Sequence, residues 1–307
     1  MFWRLAVLFV ASVNLLPAQV RPLHTRDLVR LSLPQVTEYL KRNDTVFIPV
    51  GAVETNGILP SDRDYVYPLA YAMAMAEQTD SLYMPGLIWS YPGTTVMAPS
   101  TVYMSPTAGL AYLKVLARSL LRQGFRRQVW ITASHGPAPL TVGTLAREFF
   151  EETHVPILYI DMDLYLPKMK VPVEARSKVL FGAHAITGRL DDLALKGEYG
   201  EKAMTPEGPV PENKGLAKLG KLGFSGSLHL GSYIPDVMAH CGGADTLLPT
   251  TAAEREAWGR EGSAQIVEIV KNMRMKEALD ALREHDQFTQ QILKKYGNRI
   301  PSGVDAR

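Results

Sequence analysis

Apolar and polar residues fall along this chain in blocks. Residues 45–50 are apolar at nearly every position, which predicts a strand covered on both faces. Ahead of it, Ser32 and Pro34 supply the cap and first turn of a helix predicted to reach about Arg42, with Val36, Tyr39 and Leu40 spaced to bury one side. Residues 68–78 carry small and flexible apolar side chains (Ala70, Ala72, Met73, Ala74, Met75, Ala76) and predict a helix pressed closely on a sheet, the methionines serving packing. Leu110, Leu113, Leu116, Ala117 and Leu120 make 106–123 amphipathic, and Gly124 is a natural stop. A strand at 128–132, a helix at 142–152 and a strand at 156–160 follow. Strands alternating with helices imply βαβ units and an α/β fold, a three-layer α/β/α arrangement around a mostly parallel central sheet.

Beyond Asp161 the regularity fades. The stretch 197–225 is rich in Gly, Pro and charge, which suggests an exposed excursion near a site or a subunit interface. Long helices return at about 251–273 and 276–295, the second so charged that it should form a solvated outer face. Residues 85–99 carry no helix signal; Tyr91-Pro92-Gly93-Thr94-Thr95 reads as a turn lining a cleft. No internal repeat is evident.

The first eighteen residues have a different character. Arg4 is their one charge, 5–16 is almost wholly apolar, and Pro17-Ala18 ends on a small residue. That order predicts a secretory signal peptide over 1–18 with cleavage near Ala18, leaving 19–307 as a single α/β domain exported to the periplasm or outside the cell. The apolar run is too short for a stable membrane span. Cys241 is the single cysteine, so no intrachain disulfide supports an exported chain. With 33 basic and 31 acidic residues the net charge is +2. No basic tract points to nucleic acid, and the expected partners are a small-molecule substrate and further copies of the chain.

Chemistry concentrates where strands end. The loop from Gly51 to Asp64 follows the 45–50 strand and delivers Glu54 and Asp64 to its exit, where open α/β sheets place their ligands. His135 stands at the exit of the 128–132 strand. Two carboxylates and an imidazole form a donor set suited to zinc or manganese with room left for water.

The surrounding residues resemble the creatininase (creatinine amidohydrolase) family. That family shows P-x-G-S-x-E-Q-H-G-x-H-L-P-x-x-T-D after a strand; here the run from Pro49 through Gly51, Glu54 and Gly57 to Leu59-Pro60 closes on Asp64 with the loop one residue shorter. Pro92-Gly93-Thr94, Ser119-Leu120 with Gly124-Phe125-Arg126-Arg127, Ala133-Ser134-His135-Gly136-Pro137-Ala138 and His184-Ala185-Ile186-Thr187 echo further family segments. The resemblance covers about 30–190 and extends faintly into 253–270. It implies a metal-dependent amidohydrolase, usually with two metal ions sharing an aspartate and often hexameric, that opens or cleaves C–N bonds in cyclic amides, formamides or small peptides. By position it makes Glu54, Asp64 and His135 metal ligands, with Asp64 in the bridging place. His184 matches the histidine beside the reacting amide, so the implied catalytic residues are His184 and Glu54.

Departures from the pattern matter as much. Asn56 stands where the family has its second-metal histidine and Thr187 where it has a glutamate. A neutral amide and a hydroxyl do not replace those ligands, so one metal per chain is expected. Asp161 and Asp163, following the 156–160 strand, are the candidate substitutes for the missing glutamate. The expected pocket wall is Trp89, Ser90, Tyr91 and Thr94. The alternative is an exported binding or structural protein that keeps the fold and has lost the reaction. His154 is expected to cap a helix end, His240-Cys241 lacks a third partner, and Ser134 lacks the strand-to-helix elbow of a hydrolase nucleophile.

Overall fold

The computed structural model describes residues 22–88, 100–133, 139–168, 173–199, 214–223 and 248–299. The 1–18 segment, Trp89, Ser90, Tyr91, Thr94, Ser134, His135, His240 and Cys241 lie outside the described residues, as does most of 197–225. Among the described residues no helix is long and apolar enough to cross a membrane.

Among the described residues four parallel strands form the sheet: β1 (Thr45–Pro49), β2 (Leu82–Tyr83), β3 (Arg127–Thr132) and β4 (Leu158–Asp161), in the order β2-β1-β3-β4. All five residues of β1 are buried. Pairing runs from Thr45↔Arg127 to Pro49↔Ile131 and on to Thr132↔Asp161, so β1 and β3 end side by side. Because strand side chains alternate, Phe47, Val129, Ile131 and Ile160 enter one apolar core, while Val46, Ile48 and Trp130 enter another.

Helices cover both faces. On the Val46/Ile48 side lie α1 (Leu33–Leu40), α3 (Pro106–Arg122) and α4 (Thr144–Thr153), contributing Tyr39, Leu113, Ala117, Leu145 and Phe149. Gln35 accepts from the Ser32 backbone N–H at 3.1 Å, and the Ser105 hydroxyl accepts from Ala108 N–H at 3.2 Å, so both predicted starts are capped. His154 sits in the left-handed region at φ 54° and its N–H donates to Phe150 O at 2.7 Å, ending α4 as expected. Gln128 is buried in this core and satisfied: its amide donates to Ala117 O at 2.9 Å and accepts from Trp130 Nε1 at 3.2 Å.

On the opposite face lie α2 (Arg63–Thr79), α5 (Met162–Lys168), α6 (Val173–Ile186), α8 (Ala252–Asn272) and α9 (Met275–Tyr296); α7 (Lys214–Lys221) is an exposed outlying turn of helix. Three of the helices on this face differ from the sequence reading. α5 follows β4, where the pattern predicted no helix. α2 begins at Arg63, five residues before the expected start, and carries Pro68 inside it; proline tolerates helical φ, and its cost falls on the carbonyl of Asp64, to which it offers no N–H. α6 had no expected counterpart. It is buried on several sides, so it lacks the single apolar stripe by which a surface helix is read. By contrast α9 is the solvated helix its charge predicts, with only Met275, Leu279 and Thr289 buried.

Glycine sets how α6 meets α8. A Cβ on Gly262 would lie 1.7 Å from Lys178 O, and one on Gly182 would lie 2.1 Å from the Gly262 carbonyl carbon. The two backbones touch, and Ser263 Oγ donates across to Gly182 O at 3.3 Å. Gly262→Ala should therefore force the helices apart and cost about 3 kcal/mol or more of unfolding free energy in urea titrations. Gly220→Ala, where nothing lies within 4 Å, should stay within about 0.5 kcal/mol of the parent.

Candidate functional site

The site is built at the exits of β1 and β3. After Pro49 the chain continues to pair: Val50 N–H donates to Ile131 O at 2.8 Å and Gly51 N–H to Leu87 O at 2.9 Å. Gly51 then lies against the first turn of α2, so closely that a Cβ would be 2.5 Å from Tyr65 Cα. Between these points the loop folds back on itself, with Glu54 N–H donating to Ser61 O at 2.9 Å and Leu59 N–H to Asn56 O at 3.1 Å. Val102 N–H donates to Val53 O at 2.9 Å, and Thr101 Oγ accepts from Thr55 N–H at 3.1 Å. Leu87 and Thr101, the near flanks of the segment holding Trp89, Tyr91 and Thr94, are thus both tied to this loop.

Glu54 and Asp64 are each only 4% exposed. Asp64 was expected on the loop; it lies instead in the first turn of α2, where the helix dipole favours a carboxylate. Its side chain faces the neighbouring Arg63, whose Nε lies 3.5 Å from Oδ1. Asn56 is also buried, and its amide donates to Glu54 O at 3.2 Å. Thr187 gives its hydroxyl to the α6 carbonyls of Ala183 at 2.9 Å and His184 at 3.1 Å. Asn56 and Thr187, which stand where the family pattern has a histidine and a glutamate, are therefore neutral and hydrogen-bonded to backbone.

His184 is fully buried in the last turn of α6. Its Nδ1 lies 3.0 Å from Leu180 O; a carbonyl only accepts, so Nδ1 carries the proton and Nε2 the lone pair. That Nε2 is buried and meets no hydrogen-bond partner among the described residues. Burial is the main influence holding the imidazole below its ordinary value; the Leu180 contact opposes it, Arg189 lowers it further, and Asp62 and Asp192 also oppose. Arg189 clamps Asp62, the residue before α2, with Nη1–Oδ2 at 2.5 Å. This joins the end of α6 to the start of α2.

Asp161 and Asp163 part company. Asp161 Oδ1 accepts from Asp163 N–H at 3.0 Å and Leu164 N–H at 3.3 Å, and Tyr159 hydroxyl donates to Oδ2 at 3.3 Å. Its carboxyl caps α5, and burial raises its pKa. Asp163 instead lines a cavity of about 250 Å³ with Arg63, Tyr67, Tyr71, Ala133, Leu166 and Val179. The position of Arg63 was readable, since it fills the threonine place of the P-x-x-T-D motif. Tyr71 left no such signal; it reads as one more core position of α2.

A larger cleft of about 500 Å³ lies at the other end of the sheet. Its charges are spent on one another: Arg26 reaches Glu77 at 2.7 Å and Asp80 at 2.8 Å, and Arg42 also pairs with Asp80. It fastens the N-terminal segment to α2, far from the strand exits.

Among the described residues no three His, Cys, Asp or Glu side chains gather closely enough to hold a metal. The described part of the site offers the buried carboxylates of Glu54 and Asp64, and His135 follows Ala133 outside it. Buried carboxylates call for a compensating cation, so this donor set fits a divalent ion.

The depressed pKa of His184 has a stability consequence. Below the ordinary histidine value of 6.5 the unfolded chain takes up a proton that the folded imidazole refuses, so this residue's contribution falls as pH drops and is fully present above that value. In chelator-treated protein, unfolding free energies should fall between pH 7.5 and 5 by up to about 1.4 kcal/mol per pH unit more than in His184→Gln. Parallel profiles would contradict a buried neutral imidazole.

Comparison with known proteins agrees with the architecture. The Creatininase family profile, described as creatinine amidohydrolase, matches residues 29–187. A 3-dehydro-scyllo-inosose hydrolase from Thermotoga maritima is 26% identical over 140 residues, which is 44% of this chain and 43% of that protein; the match thus spans less than half the relative's length. In fold, a crystal structure of creatinine amidohydrolase superposes with a TM-score of 0.53 at 16% identity, covering 91% of this chain and 99% of that one. A glutamine-substituted creatininase of Zn-Zn type gives 0.52 at 17% identity, over 85% and 98%. The family profile takes in more than half of the chain, including the strand-exit loop with Glu54 and Asp64, β3, and α6 with His184, and the chain is a member of the creatininase family of amidohydrolases.

Proposed function

We propose that the protein is a hydrolase that holds one divalent ion, zinc or manganese, through Glu54, Asp64 and His135, and acts on a C–N bond of a small cyclic amide, formamide or peptide-like molecule. The observation that carries this reading is the pair of carboxylates, each 4% exposed, fixed by one closed loop at the exit of β1. When bound, such an ion polarises a carbonyl and makes water a better nucleophile. A solved relative of the same fold is of Zn-Zn type; here Asn56 and Thr187 stand in the second position as an amide and a hydroxyl already engaged with backbone, which supports a single ion.

The chain's own residues supply the rest. Glu54 and Asp64 each bring a carboxylate of low exposure to the β1–α2 connection, and low exposure strengthens the hold of a carboxylate on a cation. His184 presents an unprotonated Nε2 at neutral pH, held by the Nδ1–Leu180 contact, and we assign it the uptake of a proton from the attacking water and its delivery to the leaving nitrogen as the C–N bond breaks. Association into an oligomer belongs to the same proposal.

Elemental analysis of protein purified without chelator should find close to one zinc or manganese per chain. Glu54→Ala and His135→Ala should each lose the metal and the hydrolysis together, whereas His184→Ala should keep the metal and turn over roughly 10²–10⁴-fold more slowly. The panel should include lactams, formamides and short peptides, with 3-dehydro-scyllo-inosose added because a relative is named for its hydrolysis. Absence of metal even with added zinc would favour a fold that has kept a pocket and lost the reaction. Turnover that survives loss of Glu54 and His135 would place the chemistry elsewhere.

A further inference from the structure

Arg63 occupies an electrostatically awkward position. It opens α2, where the helix dipole disfavours a positive charge. Its side chain is 29% exposed and lies beside Asp64, whose side chain is 5% exposed, with Nε 3.5 Å from Oδ1. The Nε atom itself is buried. The guanidinium carbon stands 5.9 Å from the Tyr67 ring centre, a cation–π contact, and the side chain forms part of the wall of the 250 Å³ cavity next to Ala133 at the β3 exit. A guanidinium is charged at every accessible pH and needs no ligands of its own. The two positions where the family pattern has second-ion ligands hold Asn56 and Thr187, both bonded to backbone oxygens. The same carboxylate that a second ion would share is thus already neighboured by a permanent cation.

We propose that Arg63 is a built-in replacement for the second metal ion, neutralising one side of Asp64. The inference rests on the single-metal reading above. Its consequence is repulsion: a divalent ion on Asp64 and the guanidinium compete for one carboxylate, so the guanidinium weakens binding of the first ion and blocks a second. This cost distinguishes the role from a structural one, because removing a merely structural arginine would loosen the site.

Zinc affinity of the full chain, measured by competition with a chromogenic chelator, tests it. Arg63→Met should bind zinc at least about tenfold more tightly than the parent, and Arg63→Lys, which keeps the charge, should stay near the parent. The double variant Asn56→His/Thr187→Glu should still take one zinc, and the same pair combined with Arg63→Met should take two. Equal or weaker binding by Arg63→Met, or two zinc ions in the double variant with Arg63 intact, would overturn the proposal. If Arg63→Met does not fold, the double variant decides alone, since it retains the arginine. A parent protein that binds zinc while Arg63→Met binds it no better sinks only this inference; zinc bound by none of the forms removes the metal reading and this proposal with it.

Discussion

The site depends on a contact in which there is no room for a side chain. Gly51 leaves β1 and meets the backbone of Tyr65 at a separation that a Cβ would violate by a wide margin. Tyr65 is held in turn, its hydroxyl accepting from Gly86 N–H at 2.6 Å, and burial pushes that phenol up to about 12. Fixing the end of β1 on the start of α2 converts the intervening residues into a closed loop. Glu54 is on one limb of that loop and Asp64 just beyond the other, so neither carboxylate is free to drift into water where its burial cost would vanish. A second glycine contact, Gly182 on Gly262, seats α6 and with it His184. The chemistry is carried by polar residues, but their positions are set by glycines.

This division explains which parts were legible from the sequence. Central parallel strands are covered on both faces, so 45–50 reads as a nearly continuous apolar run and 128–132 as a short apolar core between Gln128 and Thr132, and both are placed within a residue or so. α1, α3, α8 and α9 carry caps or one-sided patterns and were equally plain. α6 was not, because a helix packed against α2 on one side and glycine to glycine against α8 on another has no polar stripe to reveal its period. The start of α2 was obscured by Pro68 and by the charged run Asp62-Arg63-Asp64, which reads as loop until Gly51 is seen packed against its first turn.

Site residues divide on the same line. Glu54 and Asp64 were readable from strand-end position and from the family motif, and His184 from the motif alone. What the motif could not give was state: that the imidazole is fully buried with Nδ1 tied to Leu180, that Asp161 is used up as a helix cap, and that Asp163 lines a cavity together with Arg63. Those follow from packing between segments distant in sequence. The departure of Asn56 and Thr187 from the family motif was visible as identity; the arginine beside Asp64 became meaningful only through the 3.5 Å separation.

The proposed site is one divalent cation on Glu54, Asp64 and His135, with positive charge from Arg63 on the remaining side of Asp64. Diffraction data collected on either side of the zinc absorption edge, from crystals grown with zinc, test this most directly. One anomalous peak per chain, in contact with Glu54, Asp64 and His135 and with Arg63 on the far side of Asp64, is the expected result. Two peaks sharing Asp64, or a peak on Asn56 or Thr187, would contradict it.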